Sequence, residues 1–180
     1  MRVTITGIDI GKQLKEAAAF LNSYKVRIGI PDGGGSHGAL SDVELAFILT
    51  NGSAVNNNPP RPFLEPALSQ DAAQSKIARD MKESARAACE GNLGGAMAQL
   101  NAAGMDGASA VKEYMDSGAF AANSPITVSG GWMRSKKKTL VAKDGQAYGK
   151  AFKVKGKGSS KPLIDTGALQ SAITYVIEGK

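Results

Sequence analysis

The spacing of apolar residues along the first part of the chain predicts two strands with a helix between them. Apolar and polar residues alternate over residues 1–10 and 25–30, a period that is typical of strands with one solvated face. Residues 11–22 instead repeat apolar positions every three or four residues, which predicts an amphipathic helix. The residues that share its apolar face are Leu14, Ala17, Ala18 and Leu21. Glycines dominate residues 32–38 and predict a loop without regular structure.

A second helix is predicted to begin after Ser41. Glu44 follows three residues later within an apolar run, and this spacing is typical of a capping box. The apolar residues of this helix include Val43, Ala46, Phe47 and Leu49. The Asn-Gly pair at residues 51–52 predicts its end.

The longest helical pattern covers residues 66–90. Charged residues occupy most of its faces and leave a narrow apolar stripe that consists of Ile77, Met81, Ala85 and Ala88. A further helical stretch covers residues 96–117, and we expect breaks near Gly104 and Gly107 because glycine disfavours helix interiors. Alanine is abundant in both stretches, which predicts that the helices approach one another closely.

The C-terminal end of the chain is predicted to close the fold. β-Branched and aromatic residues over 172–177 predict a strand, and Asp165 or Thr166 is placed to cap a helical turn that runs through Ser171. These elements predict an α+β fold in which a small, mostly antiparallel sheet packs against a long helix. A chain of 180 residues has the usual length of one domain, so we expect residues 1–180 to form a single domain.

Positive charge is concentrated in the lysine segment, residues 130–161. This segment holds ten basic residues and one acid, a formal charge of +9, whereas residues 1–129 carry −2 and residues 162–180 carry −1. The net charge of +6 therefore comes entirely from the lysine segment. Its high content of lysine and glycine predicts an extended arm or long loop within the domain.

Three interpretations of the lysine segment are open. Its cations could follow a phosphate backbone, with Trp132, Tyr148 and Phe152 as stacking surfaces. It could also be a solvated arm, or it could be mobile in the monomer and become ordered on an acidic neighbouring subunit, which the acidic balance of the remaining chain favours. The residues predicted to contact a subunit or phosphate are Arg134, Lys136, Lys137, Lys138, Lys153, Lys155 and Lys157.

The inventory of reactive side chains argues against catalysis. Cys89 and His37 are the single cysteine and histidine, so the chain lacks the ligands of common zinc sites and cannot form an internal disulfide. We interpret Cys89 as a small core residue, and we expect the acids to be solvated on helical faces. Residues 32–38 lack the ending of a phosphate-binding loop. We therefore predict a protein that is not an enzyme and has no cofactor or metal.

Membrane insertion is not expected either. No apolar run in the chain reaches the roughly 20 residues of a membrane-spanning helix. The first residues also lack the apolar block of a signal peptide, which predicts a protein that is made and kept in the cytoplasm unless a larger particle carries it away.

Two motifs carry a resemblance to a known family. Residues 61–68 read Arg-Pro-Phe-Leu-Glu-Pro-Ala-Leu, and residues 162–169 read Pro-Leu-Ile-Asp-Thr-Gly-Ala-Leu ahead of the last strand. Their order resembles that of the bacteriophage neck and tail-completion proteins, the virion-morphogenesis family that includes minor tail protein Z. In that family a Pro-Phe-Leu segment opens a long helix, and a lysine-rich stretch precedes an Asp-Thr-Gly turn and a final strand.

The resemblance implies a structural virion protein. It implies a homo-oligomeric, hexameric ring at the head–tail junction that joins the tail to the capsid connector and leaves a channel for the genome DNA. The implied neighbours are the connector or head-closure protein, the tail terminator and the tail tube, and the implied location is the virion neck after synthesis in the host cytoplasm. The implied interface or fold-anchor residues are Arg61, Pro62, Phe63, Leu64, Leu163, Asp165, Thr166, Gly167 and Leu169. The alternative is a nucleic-acid-binding protein that uses the lysine segment.

Overall fold

Helices and small sheets alternate along the chain. The computed structural model describes residues 10–33, 35–37, 40–54, 58–117, 120–141, 147–156, 158, 163 and 167–179, with the backbone alone over 36–37, 134–141 and 147–150. The described elements are α1 Ile10–Ser23, β1 Tyr24–Gly29, β2 Ser36–His37, β3 Leu40–Ser41, α2 Asp42–Asn51, α3 Leu64–Leu68, α4 Asp71–Cys89, α5 Leu93–Asp116, α6 Pro125–Ser129, β4 Gly130–Val141, β5 Ala147–Lys155, α7 Ala168–Ala172 and β6 Thr174–Gly179. The predicted α+β fold is confirmed.

The first and the last strand of the described chain, β1 and β6, pair with each other. β1 and β6 run antiparallel in a register that aligns Tyr24 with Gly179 and Gly29 with Thr174. An ion pair between Arg27 Nε and Glu178 Oε2, 2.8 Å apart, joins the two strands. The sheet packs against α5, as predicted. The strand predicted over residues 1–10 lies outside the described residues except for its last residue, which begins α1.

Helix α5 runs unbroken from Leu93 to Asp116, so the predicted break near Gly104 and Gly107 is wrong. The two glycines lie one turn apart on one face of the helix. A Cβ atom on Gly104 would overlap the ring of Tyr175, and one on Gly107 would overlap the side chain of Ile28. Because Ile28 and Tyr175 are cross-strand partners, the glycines form a notch that admits the sheet. This close packing offsets the cost of glycine in a helix, about 1 kcal/mol per residue.

We expect Gly104→Ala to destabilise the protein by roughly 1–3 kcal/mol, the usual cost of overpacking a core. The added methyl group would overlap the ring of Tyr175, whose hydroxyl is held at 3.0 Å from Asn101 Oδ1. Thermal unfolding followed by circular dichroism measures this loss. Gly94→Ala in the same helix is the control, because a Cβ atom there meets only Asn92 Oδ1, at 3.9 Å. Equal effects of the two substitutions would show that the notch does not seat the sheet.

The main core lies between α5 and the two short helices α3 and α7. Its buried residues are Phe63, Ala67, Ala108, Val111, Met115, Leu169 and Ile173. Ile28 of β1 and Leu49 of α2 pack against this cluster, so the core joins the sheet to the helices. A second cluster of buried alanines joins α1, α4 and α5, and consists of Ala17, Ala88 and Ala96. These small side chains allow the close helix packing that the alanine content predicts.

The buried face of α4 differs from the predicted apolar stripe. Ala88 of the predicted stripe is buried, but the other buried residues, Ala73, Asp80 and Ser84, lie outside the stripe, and Met81 of the stripe is 43% exposed. The hydroxyl of Ser84 donates to the carbonyl of Ala96 on α5 at 2.9 Å, so this buried polar group is satisfied. Short side chains let the two helices approach closely. A stripe that is chosen by hydropathy alone does not include buried polar residues such as Asp80 and Ser84.

Three smaller predictions are also corrected. The helix predicted over 66–90 is divided into α3 and α4, with a turn at residues 69–70 between them. Cys89 is exposed rather than packed in the core, because it ends α4 on the solvated side. The predicted loop over 32–38 contains the two residues of β2, which pair with β3.

The N-terminus of α2 has the predicted cap, and the N-terminus of α7 adjoins residues that are not described. The predicted capping box of α2 is confirmed, since the backbone N–H of Glu44 donates to Ser41 Oγ at 3.2 Å and that of Ser41 donates to Glu44 Oε2 at 2.9 Å. Helix α7 instead begins after Gly167, which has a φ of 75° and offers no side-chain cap. Asp165 and Thr166, the predicted caps, lie outside the described residues.

Candidate functional site

The two motifs meet in the main core although they lie far apart in the chain. Phe63 of the first motif is 2% exposed and belongs to the same cluster as Leu169 of the second motif. Leu64 and Leu163 are half-buried and pack against this cluster. Leu163 has a φ of 66°, a left-handed backbone that a non-glycine residue adopts only when its surroundings hold it there. In the monomer these residues lie in or against the main core, and their roles as fold anchors or subunit contacts stay predictions.

Pro62 is the exposed member of the first motif, between two buried neighbours. Phe63 is the N-cap of α3, and Leu64 is the first residue of that helix. The first motif is therefore a short non-helical segment that enters a helix and places its aromatic side chain in the core.

Arg61 is a buried cation held by neutral acceptors. Its side chain is 5% exposed in this position, and burial lowers the pKa of its guanidinium. The group remains a cation, as arginine does in proteins, so it needs acceptors to offset the loss of water. It donates to Ala121 O at 2.8 Å, Asn58 Oδ1 at 2.9 Å, Ala122 O at 3.2 Å and Asn123 Oδ1 at 3.3 Å.

The acceptors of Arg61 give this residue a positioning role. Residues 121–123 lead directly into α6 and the lysine segment, and the guanidinium ties them to the beginning of the first motif. The backbone N–H of Arg61 also donates to the carbonyl of Leu49 at the end of α2, at 2.8 Å. One residue thus links α2, the first motif and the approach to the lysine segment.

The lysine segment forms an antiparallel hairpin of β4 and β5. The strands pair regularly from Gly130 with Lys155 to Arg134 with Ala151, and the register shifts before Thr139. Of the predicted contact residues, Lys153 and Lys155 are exposed, while Lys157 lies outside the described residues. Arg134 and residues 136–138 lie in β4 with the backbone alone described. That this segment becomes ordered only between subunits stays a prediction.

The two strands of the hairpin begin and end at a pair of touching glycines, the hairpin root. Gly130 has a φ of 76°, and a Cβ atom on it would lie 2.6 Å from both the nitrogen of Gly156 and the carbonyl oxygen of Val154. The N–H of Gly158 donates to the carbonyl of Val128 in α6 at 3.0 Å. Among the described helices, α6, which leads directly into β4, is the one with the most contacts to the hairpin. The hairpin therefore joins the other helices through one narrow connection.

Side chains near the root separate by face, because cross-strand partners point to the same side of a sheet. One face carries Trp132 opposite Lys153. The other carries Met133 opposite Phe152, with Val154 two residues further along β5. Trp132 is 69% exposed and Phe152 is 46% exposed. We call the second set, Met133, Phe152 and Val154, the apolar root face.

A further apolar surface lies on α2, and sequence reasoning missed it. Phe47 is 70% exposed, although the sequence grouped it with Ala46 and Leu49, which pack against the core. An open groove of about 380 Å³ runs beside it and is lined by Leu40, Val43, Glu44, Phe47 and Ile48. We call the apolar residues of this lining the α2 surface. A signal was present, because residues 45–49 are all apolar and leave the helix without a polar face there.

Two of the described carboxylates, those of Asp42 and Asp80, are buried against expectation. Asp80 is 4% exposed and its Oδ1 accepts from Arg79 Nε at 2.9 Å, while its Oδ2 has no hydrogen-bond partner among the described residues. Arg79 also lies 3.4 Å from Asp106 Oδ2 on α5. Asp80 raises the pKa of Arg79 through a hydrogen bond and its charge. The pair joins α4 to α5, so this acid is not on a solvated face as predicted.

In the part of the chain that is described, metal-binding side chains do not cluster near these surfaces. Within it, no three His, Cys, Asp or Glu side chains come together in a group that could hold a metal ion. None of its helices is long and apolar enough to cross a membrane. The described candidates for function are therefore the α2 surface, the two faces of the hairpin root and the Arg61 contact.

Comparisons with models of protein families, with curated proteins and with solved structures found no match to this chain.

Proposed function

We propose that this chain is a structural protein of a tailed bacteriophage that forms a homo-oligomeric, hexameric ring at the head–tail junction. The ring would join the tail to the capsid connector and leave a channel for the genome DNA. Its neighbours would be the connector or head-closure protein, the tail terminator and the tail tube. The protein would be made in the host cytoplasm and would end in the neck of the virion, without a catalytic step.

The observation that carries this proposal is the apolar surface of α2. A helical stretch that is apolar on all sides, such as residues 45–49 of α2, is normally buried, yet Phe47 is 70% exposed and the neighbouring Val43 is 37% exposed in the monomer. Contiguous exposed apolar patches mark sites of protein association. A self-assembling protein buries such a surface between its copies, whereas in a protein that stays monomeric the surface remains exposed to water.

The arrangement of the two motifs supports the family resemblance behind the proposal. The motifs of residues 61–68 and 162–169 contribute Phe63 and Leu169 to one core. Residues of distant segments that pack together explain why both motifs would occur together in one family. The Arg61 contact then connects this core to the approach of the lysine hairpin.

The proposal is tested by the mass and shape of the purified protein. Light scattering coupled to gel filtration should give the mass of a hexamer, or of a smaller oligomer that grows when phage tail tubes are added. Negative-stain images should then show rings with a central channel. A protein that stays monomeric at high concentration and with tail tubes present would contradict the proposal.

Removal of the hairpin should abolish assembly and leave the monomer folded. The touching backbones of Gly130 and Gly156 allow residues 131–155 to be replaced by two glycines without a change in the path of the chain. We expect the melting temperature to change little, because the described helices other than α6 make few contacts with the hairpin. Circular dichroism and light scattering measure the two outcomes. If the shortened protein still assembles normally, the hairpin is only a solvated extension.

A second candidate function is nucleic-acid binding by the other face of the hairpin root. Trp132 is 69% exposed and lies opposite Lys153, with Lys155 on the same side of β5. An exposed aromatic ring between cations is the pattern that stacks on bases and contacts phosphates in single-stranded nucleic acids. This geometry favours the alternative that the lysine segment contacts DNA.

Trp132 is the single tryptophan and reports directly on this candidate. Stacking of bases on it should quench its fluorescence when single-stranded DNA is added. The logarithm of the binding constant should then fall with the logarithm of the salt concentration, with a slope of about −0.7 for each phosphate contact. Fluorescence that is unchanged at low salt would exclude a stacking role for Trp132.

A further inference from the structure

The register of the hairpin concentrates four lysines at one place. The strands pair regularly as far as Arg134 and again from Thr139. Between these two regions β5 has a single residue, Lys150, whereas β4 has four, residues 135–138. Three of those four are lysines, and the extra residues interrupt the ladder as a β-bulge does. We call residues 135–138 together with Lys150 the lysine bulge.

The described hairpin does not balance this charge. β4 and β5 together carry seven basic residues and no acid. Helix α6, the described helix with the most contacts to the hairpin, has no acid either. Like charges at opposing positions of neighbouring strands repel each other and destabilise a sheet. An anionic ligand that lies along the hairpin would therefore offset the repulsion that the register creates.

The hairpin also has the shape of a ribbon that fits the major groove of DNA. β4 and β5 form a two-stranded sheet, and no other described strand widens it. The major groove of B-DNA, about 12 Å wide and about 8.5 Å deep, admits a two-stranded β-ribbon. The nine residues of β5, at about 3.3 Å each, cover roughly 30 Å, which is close to one turn of the double helix. Described helices other than α6 make few contacts with this ribbon, so they leave it open to a ligand.

The composition of the lysine bulge favours duplex DNA over a single strand. Single strands are held by aromatic rings that stack on unpaired bases, and the bulge consists of serine and lysine only. Duplex DNA carries a negative charge for about every 1.7 Å of its axis, which suits a dense group of cations. Lysines that contact phosphates position a protein without reading the base sequence. The bulge is therefore suited to the phosphate backbone of a duplex of any sequence.

We infer that the β4–β5 hairpin lies in the major groove of double-stranded DNA, with the lysine bulge against the phosphates that border the groove. This inference rests on the second candidate function, in which the lysine segment contacts DNA. It adds the duplex form of the ligand, the groove that receives the hairpin and the lysines that contribute most of the affinity.

Binding of the full chain to a labelled duplex of about 20 base pairs, two turns of the helix, tests the inference against either strand alone. Fluorescence anisotropy should show a tighter complex with the duplex than with a single strand of the same length. Methyl green, which occupies the major groove, should displace the protein. Netropsin, which occupies the minor groove, should not.

Substitutions in the lysine bulge separate its contribution from that of the other cations. The combined change Lys136→Gln, Lys137→Gln, Lys138→Gln and Lys150→Gln removes four cations from the bulge. The logarithm of the duplex binding constant falls with the logarithm of the salt concentration, with a slope of about −0.9 for each phosphate contact. The slope should therefore become less steep by about 3–4, as expected for the loss of four contacts.

The matched control removes the same charge from exposed lysines on α1 and α4, with Lys12→Gln, Lys15→Gln, Lys76→Gln and Lys82→Gln. This variant should keep the salt slope of the unmodified chain. The four corresponding Lys→Arg substitutions in the bulge keep its charge and should also keep the slope. Circular dichroism verifies that all three variants are folded.

A tighter complex with the single strand would overturn the inference and leave the second candidate function standing. A salt slope that the glutamine substitutions in the bulge leave unchanged, or displacement by netropsin in place of methyl green, would overturn it in the same way. If neither form of DNA binds at low salt, the inference and the second candidate function both fall. The ring of the proposed function is decided separately, by the mass of the purified protein.

Discussion

Phe63→Ala should lower the free energy of unfolding by roughly 3–5 kcal/mol, the usual cost of removing a buried phenylalanine ring. Phe63 is 2% exposed and is among the largest fully buried side chains in the described part of the chain. Its ring fills the space between α3, α5 and α7, so truncation opens a cavity where the two motifs meet. For a chain of this length the melting temperature should fall by roughly 6–20 °C.

Phe47→Ala is the matched control for this prediction. It removes the same ring from a position that is 70% exposed, so the melting temperature of the monomer should stay within about 1–2 °C. Differential scanning calorimetry at a protein concentration that keeps both variants monomeric compares the two. If Phe63→Ala melts like Phe47→Ala, the first motif does not anchor the core.

Arg61→Met should also destabilise the protein strongly. Methionine keeps much of the length of the side chain and removes its donors, which leaves the carbonyls of Ala121 and Ala122 without their hydrogen bonds from Arg61. Hydrogen bonds to a charged donor contribute roughly 1.5–3 kcal/mol each, whereas the removal of a buried charge and the access of water to the exposed residues Ala121 and Ala122 recover part of this loss. We expect a net loss of at least ~2 kcal/mol in the free energy of unfolding, measured by urea denaturation.

The same substitution should also have a local effect on the segment that accepts the hydrogen bonds of Arg61. Hydrogen exchange at residues 121–123 should become faster, because the tie between this segment and the first motif is lost. Arg27→Met is the control, since Arg27 is 64% exposed and its ion pair with Glu178 lies on the surface, where such pairs contribute little. Arg61→Met with normal exchange at residues 121–123 would show that Arg61 does not hold the approach to the hairpin.

The fold could be predicted where local patterns and packing agree. The strands near residues 25–30 and 172–177, helix α1 and the capping box of α2 follow from hydrophobic period and from capping chemistry. The unbroken course of α5 could not be predicted, because glycine lowers helix propensity whatever it packs against. That Gly104 and Gly107 face Tyr175 and Ile28 is a tertiary fact, and the contact decides the conformation.

The candidate site was predicted less completely than the fold. The burial of Phe63 follows from an aromatic residue between prolines and a helix, but the partners of Arg61 lie some sixty positions away in sequence and leave no local pattern. The α2 surface was passed over because a run of apolar residues predicts burial in the monomer core. Only the packing shows that one side of α2 faces the core and that Phe47 faces away from it.

The touching glycines at the hairpin root also bear on how such a chain can evolve. Because the chain leaves and re-enters at one point, residues can be gained or lost beyond Arg134 without moving either end of the connection. Doubling the length of a loop costs only about 0.6 kcal/mol in closure entropy, so natural selection can tolerate a wide range of hairpin lengths. The distance that the hairpin spans can then diverge between lineages while the thermal stability of the monomer is inherited almost unchanged.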